Sequence, residues 1–77
     1  MKIKIIVTLK SGVLDPQGKA IQQTLTGMGF NDVKEVRQGK YFDIEINETD
    51  IVKAKNKVDE MCKKLLANLV IEDYKIL

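Results

Sequence analysis

Asp32-Val33-Lys34-Glu35-Val36-Arg37-Gln38-Gly39-Lys40-Tyr41-Phe42-Asp43-Ile44-Glu45-Ile46-Asn47 is the stretch on which the fold turns. Gly39 divides it into two runs. In the first, Val33, Glu35 and Arg37 alternate with Lys34 and Val36. In the second, Phe42, Ile44 and Ile46 alternate with Asp43 and Glu45. Alternation with β-branched and aromatic residues is a strand signal, and Gln38-Gly39-Lys40 suits a tight turn between two strands. The runs are therefore expected to form a hairpin.

Upstream, residues 2–9 also alternate, with Ile3, Ile5, Val7 and Leu9 on one face and Lys2, Lys4, Ile6 and Thr8 on the other. This predicts a first strand. Asp15-Pro16 marks a helix start, because Asp accepts a bond from an orphan N–H and Pro at the first helical position has none to lose. Ala20, Ile21, Thr24, Leu25 and Met28 recur at helical spacing. Gly27 and Gly29 end the helix, Gly29 as the left-handed cap. Downstream of the hairpin, Thr49 or Asp50 caps a second helix whose apolar stripe is Ile51, Ala54, Val58, Met61, Cys62, Leu65 and Leu66. The tail, Leu69 to Leu77, reads as a last strand.

The order is β-α-β-β-α-β in one domain, residues 1–77. It predicts an α+β fold, a ferredoxin-like sandwich with both helices on one face of a four-stranded antiparallel sheet. The other face then meets water or a partner. Ile6, Val36 and Tyr41 are the candidates for an apolar patch there, and such a patch is a reason to expect a homodimer or higher assembly.

Composition excludes several functions. With 77 residues the core supplies only about 3–5 kcal/mol. One cysteine and no histidine leave no disulfide, no Cys/His zinc site and no histidine-based triad. Cys62 falls on the core stripe beside Met61 with no base to activate it. The net charge of +2 is too weak to imply a nucleic-acid partner. No apolar run is long enough for a membrane span and no signal-peptide layout opens the chain, so a reducing, cytoplasmic setting is expected.

The loop Lys10-Ser11-Gly12-Val13-Leu14-Asp15-Pro16-Gln17-Gly18-Lys19-Ala20 carries the most specific wording. It approaches the phosphate loop G-x-x-x-x-G-K-[ST] and fails twice: five residues separate the glycines, and Ala20 stands where a hydroxyl would hold Mg²⁺. A capped turn explains Gly12, Asp15 and Pro16 but not Gln17 and Gly18. Glycine in the first turn of a helix costs up to about 1 kcal/mol relative to alanine, which suggests close approach by a ligand or another backbone. Arg37-Gln38-Gly39-Lys40 is either a solvated tip or a polar contact for an acidic partner or a phosphate. Scattered carboxylates, no metal-ligand cluster and little room for a pocket leave no basis for independent catalysis.

The string Gly12-Val13-Leu14-Asp15-Pro16-Gln17-Gly18, followed by Val36-Arg37-Gln38-Gly39-Lys40, resembles the PurS subunit of phosphoribosylformylglycinamidine (FGAM) synthase, and the likeness runs the length of the chain. It implies a small non-catalytic subunit in de novo purine biosynthesis that forms homodimers. A glutaminase subunit, PurQ, would supply ammonia. A synthetase subunit, PurL, would bind substrate, ATP and Mg²⁺, none of them held by this chain. The implied role is to bridge the two, with Gly12, Asp15, Gln17, Gly18, Arg37 and Lys40 as candidate partner contacts. An ACT-like small-molecule-binding regulatory module is the alternative. An RNA-binding domain lacks its aromatic strand motif here, and an acylphosphatase-like enzyme lacks the arginine of its first loop.

Overall fold

The structure is a computed structural model that describes all residues, 1–77. Strand β1, Lys2–Leu9, leads through a loop to helix α1, Pro16–Gly27. An irregular stretch follows, then strand β2, Gly39–Glu45, helix α2, Ile51–Met61, and strand β3, Glu72–Ile76.

The sheet has three strands, not four, in the order β2-β1-β3, antiparallel throughout. This corrects the ferredoxin-like expectation, and the cause lies in residues 32–38. The only apolar residues there are Val33 and Val36, three apart, so no single face gathers them as a two-residue period would. The segment bonds instead to α1 and its loop. The Gln22 Nε2 donates to the Lys34 carbonyl at 2.9 Å, and the Gln38 N–H donates to Asp15 Oδ2 at 2.6 Å. β2 pairs only with β1, from Thr8 opposite Gly39 to Lys2 opposite Glu45. Its outer edge therefore stays open.

A second correction concerns the helices. The core consists of Ile3, Ile5 and Val7 from β1, Ala54 and Val58 from α2, and Cys62 and Ala67 beyond it; α1 contributes nothing to it. Only α2 covers the sheet. Its spacing of four places 54, 58 and 62 on one stripe. Asp50 caps it by accepting the N–H groups of Val52 and Lys53.

After α2 the chain widens into one π-turn, Cys62–Leu66, closed by the Ala67 N–H donating to the Cys62 carbonyl at 3.0 Å. The extra residue rotates the stripe. Leu65, expected inside, is 83% exposed, while Leu66 and Ala67 turn inward.

α1 stands clear of the sheet, and Gly18 is its one buried residue. The apolar stripe of α1 thus faces solvent in the single chain, with Ile21 and Met28 exposed. The radius of gyration is 16.0 Å, against about 11–12 Å for a compact chain of this length. The end of α1 follows expectation. The Gly29 N–H donates to the Thr26 carbonyl and the Phe30 N–H to Leu25, with Gly29 at φ +100°. This is a Schellman closure that a left-handed glycine permits.

Candidate functional site

The loop from Lys10 to Asp15 is built around two charged side chains. Asp15 is buried at the start of α1, and each of its oxygens has a partner. Oδ1 accepts the Gly18 N–H at 2.9 Å and Oδ2 accepts the Gln38 N–H. One carboxylate therefore caps a helix and ties it to a segment 23 residues away. The Gln38 N–H above all, then the Gly18 N–H and the positive charge of Arg37, hold its carboxyl below the ordinary range.

Arg37 closes the other side. Its Nη1 donates to the Val13 carbonyl at 3.0 Å and its Nη2 to the Lys10 carbonyl at 3.1 Å. A turn with Gly12 at φ +87° presents those carbonyls together. Nη2 also reaches the Leu9 carbonyl at 3.4 Å, so the guanidinium fork meets three acceptors at once, which a lysine ammonium could not match in fixed geometry. Gly18 is explained by the same crossing. A Cβ placed there would strike the Val36 carbonyl oxygen and the Asp15 side chain. The close approach inferred from sequence is made by the chain's own backbone.

The structure thus gathers Gly12, Asp15, Gly18 and Arg37 into one locked unit. Gln17 and Lys40 lie next to it on a cavity of about 450 Å³ between the α1 N-terminus and the sheet end. At the far side of that cavity Lys40 Nζ meets Glu72 Oε2 at 3.4 Å. Glu72 is buried, and its Oε1 accepts the Asn68 N–H at 2.8 Å, the leading reason its carboxyl is held low. No group of three or more His, Cys, Asp or Glu side chains gathers where it could hold a metal ion.

Of the expected dimer-face residues, Ile6 and Tyr41 are direct cross-strand partners on the open face, 37% and 56% exposed. The charged pairs Lys4–Asp43 and Lys2–Glu45 continue that face beyond them. Val36 is not in the sheet at all; it lies over Gly18. Three residues of this region carry no clear mark in the sequence. Leu14, 68% exposed on the loop, is signalled only by being apolar in a polar turn. Gln38 looks like part of a hairpin tip. Glu72 is one of two adjacent acids, with Asp73, after the apolar run Leu69-Val70-Ile71.

Fold and site define a class before any comparison: a small α+β module whose most specific loop is an internal clasp, with an uncovered helix beside it. The PurS sequence profile, described as phosphoribosylformylglycinamidine (FGAM) synthase, matches residues 2–77. The PurS subunit of FGAM synthase from Methanocaldococcus jannaschii is 52% identical over 75 residues, covering 97% of this chain and 90% of that protein. The Bacillus subtilis subunit is 51% identical over 79 residues, covering 96% and 87%. A chain of the solved PurLQS structure from Thermotoga maritima superposes with a TM-score of 0.90 at 34% identity, over 99% of this chain and 93% of that one. The chain belongs to the PurS family.

Proposed function

We propose that the chain is the small non-catalytic subunit of FGAM synthase. It acts as a homodimer that bridges PurL and PurQ so that glutamine-derived ammonia reaches the ATP-dependent amidation site. The observation that carries this reading is the full-length likeness to a chain of the Thermotoga maritima PurLQS structure. Its setting in this reading is the cytoplasm.

Physical features support the two halves of the proposal. An isolated helix of 12 residues is marginal in water. α1 nevertheless carries Ile21, Leu25 and Met28 with no core of its own chain beneath them, and a second copy gives them one. Ile6 and Tyr41 supply a further small apolar contact. The clasp of Asp15 and Arg37 is rigid, so it presents Gly12, Leu14 and Gln17 in fixed relation to a partner. Rigidity lowers the ordering cost of assembly. Ammonia is protonated in open water, so transfer between sites gains from partners held in register and sealed from solvent.

The test is reconstitution. The chain is mixed with PurL and PurQ, and amidine formation is followed with glutamine and separately with ammonium salt. The glutamine-dependent rate should require the chain, while the ammonium-dependent rate should change far less. Equal glutamine-dependent rates with and without the chain would sink the proposal.

A further inference from the structure

Gln17 and Lys40, named above as candidate partner contacts, also border the cavity beside α1. Its volume of about 450 Å³ falls within the roughly 300–1,000 Å³ of small-molecule sites. Val7, Leu9 and Pro16 give it an apolar lining, Gln17 and Gln38 a neutral polar one, and Lys40 and Glu72 a pair of opposite charges. We propose that this cavity binds a free α-amino acid in its zwitterionic form.

The charges argue for that class. Asp15 also borders the cavity, but both its oxygens are taken by backbone N–H groups. Glu72 has one oxygen on Asn68 and the other only on Lys40. Their separation of 3.4 Å is long for a charge-assisted bond, which closes to about 2.7–2.9 Å when well made. The Lys40 side chain is 58% exposed, so it is free to swing. An α-amino acid carries its ammonium and carboxylate on the same carbon, at a spacing that matches this pair. Its ammonium donates to Glu72 Oε2 and its carboxylate accepts from Lys40 Nζ. The single long contact becomes a ring of alternating charge.

The rest of the cavity suits the remainder of the ligand. Neither the Gln17 nor the Gln38 carboxamide makes a hydrogen bond within the chain, so both have donors and acceptors to offer. Carbon atoms of the ligand lie against Leu9 and Pro16. A nucleotide fits poorly, since one cation stands against two carboxylates.

Isothermal titration of the full chain with each common L-amino acid tests the proposal. A primary alkylamine and a short carboxylate serve as single-charge controls. At least one amino acid should bind at millimolar concentration or below, with both controls weaker by about tenfold or more. Glu72→Gln keeps the acceptor for Asn68, and Lys40→Met keeps the alkyl stem while removing the ammonium that faces Glu72, so circular dichroism should be unchanged. Each should weaken binding by about tenfold or more. No heat from any amino acid overturns the proposal, as does an alkylamine or carboxylate that binds equally well. A second copy filling the cavity would give the same silence and would overturn it equally. Binding is read on the chain alone, so its failure leaves the glutamine-dependent assay with PurL and PurQ untouched.

Discussion

Val58 on α2 and Ile21 on α1 are both apolar residues on amphipathic helices, yet Val58 is fully buried and Ile21 is 42% exposed. The difference extends to the regions around them. The sheet and α2 are joined by side-chain packing around Ile5, Val7, Val58 and Cys62. α1 and its loop are joined to the rest by directed bonds from Asp15, Arg37 and Gln22. Packing is tolerant of small shifts and costly to hollow out. Directed bonds contribute less each, about 0.5–1.5 kcal/mol for a neutral one, but they fix position. One region supplies stability and the other holds a geometry.

The largest test of that contrast is a cavity in the packed region. Ile5→Ala should cost about 2–5 kcal/mol in chemical denaturation, whereas Ile21→Ala at concentrations where the chain is monomeric should stay within about 0.5 kcal/mol. A large Ile21→Ala penalty that fades on dilution would sharpen the picture, since it would report a second copy covering α1. Next in size is Gly18→Val, which drives a side chain into the Val36 carbonyl. It should cost about 1–3 kcal/mol, with amide exchange accelerated across α1 and residues 36–38 while the Val58 amide stays protected. Equal acceleration in both regions would show that they unfold as one.

Asp15→Ala should have a smaller effect, visible as loss of protection at the Gly18 and Gln38 amides. The same clasp gives a pH dependence. The folded carboxyl titrates below its unfolded value, so its contribution is complete above the ordinary aspartate pKa of about 3.9 and is lost as pH falls through the lowered one. Glu48, Asp59 and Glu72 shift the same way and add to acid lability. In Asp15→Ala the acid limb of the stability curve should be shallower. The smallest effect belongs to the exposed i,i+4 pair of Lys64 and Glu60, 3.9 Å apart, where Lys64→Ala should change stability by no more than about 0.5 kcal/mol.

The two regions also differ in how far sequence can reach them. β1, both helix starts, the Gly29 closure and the Gly12 turn are local events, and local chemistry announces them. The tail strand starts three residues later than its composition suggests, because Leu69-Val70-Ile71 looks like strand but forms the turn before it. The hairpin fails because Arg37 and Gln38 resemble surface residues, when their partners lie in the Leu9–Asp15 segment. Nothing local announces a guanidinium that bonds to carbonyls 24 to 28 positions away. The same holds for Gly18. Its cost is visible, and a neighbouring backbone is one of two explanations, but only the fold says which backbone. Leu65 is misplaced for a third reason: a π-turn inserts a residue that a period of 3.6 does not allow for.

The open outer edge of β2 has a consequence for the life of a newly made chain. Gly39–Glu45 offers a row of unpaired N–H and C=O groups, a template on which any extended peptide can settle. The edge is short and bears Lys40 and Asp43, which discourages adhesion without abolishing it. The interval between synthesis and capture by its proper neighbours is therefore the hazardous one. Overproduced by itself, the chain should clump in proportion to how long it waits, and co-expression with its partners should shorten that wait.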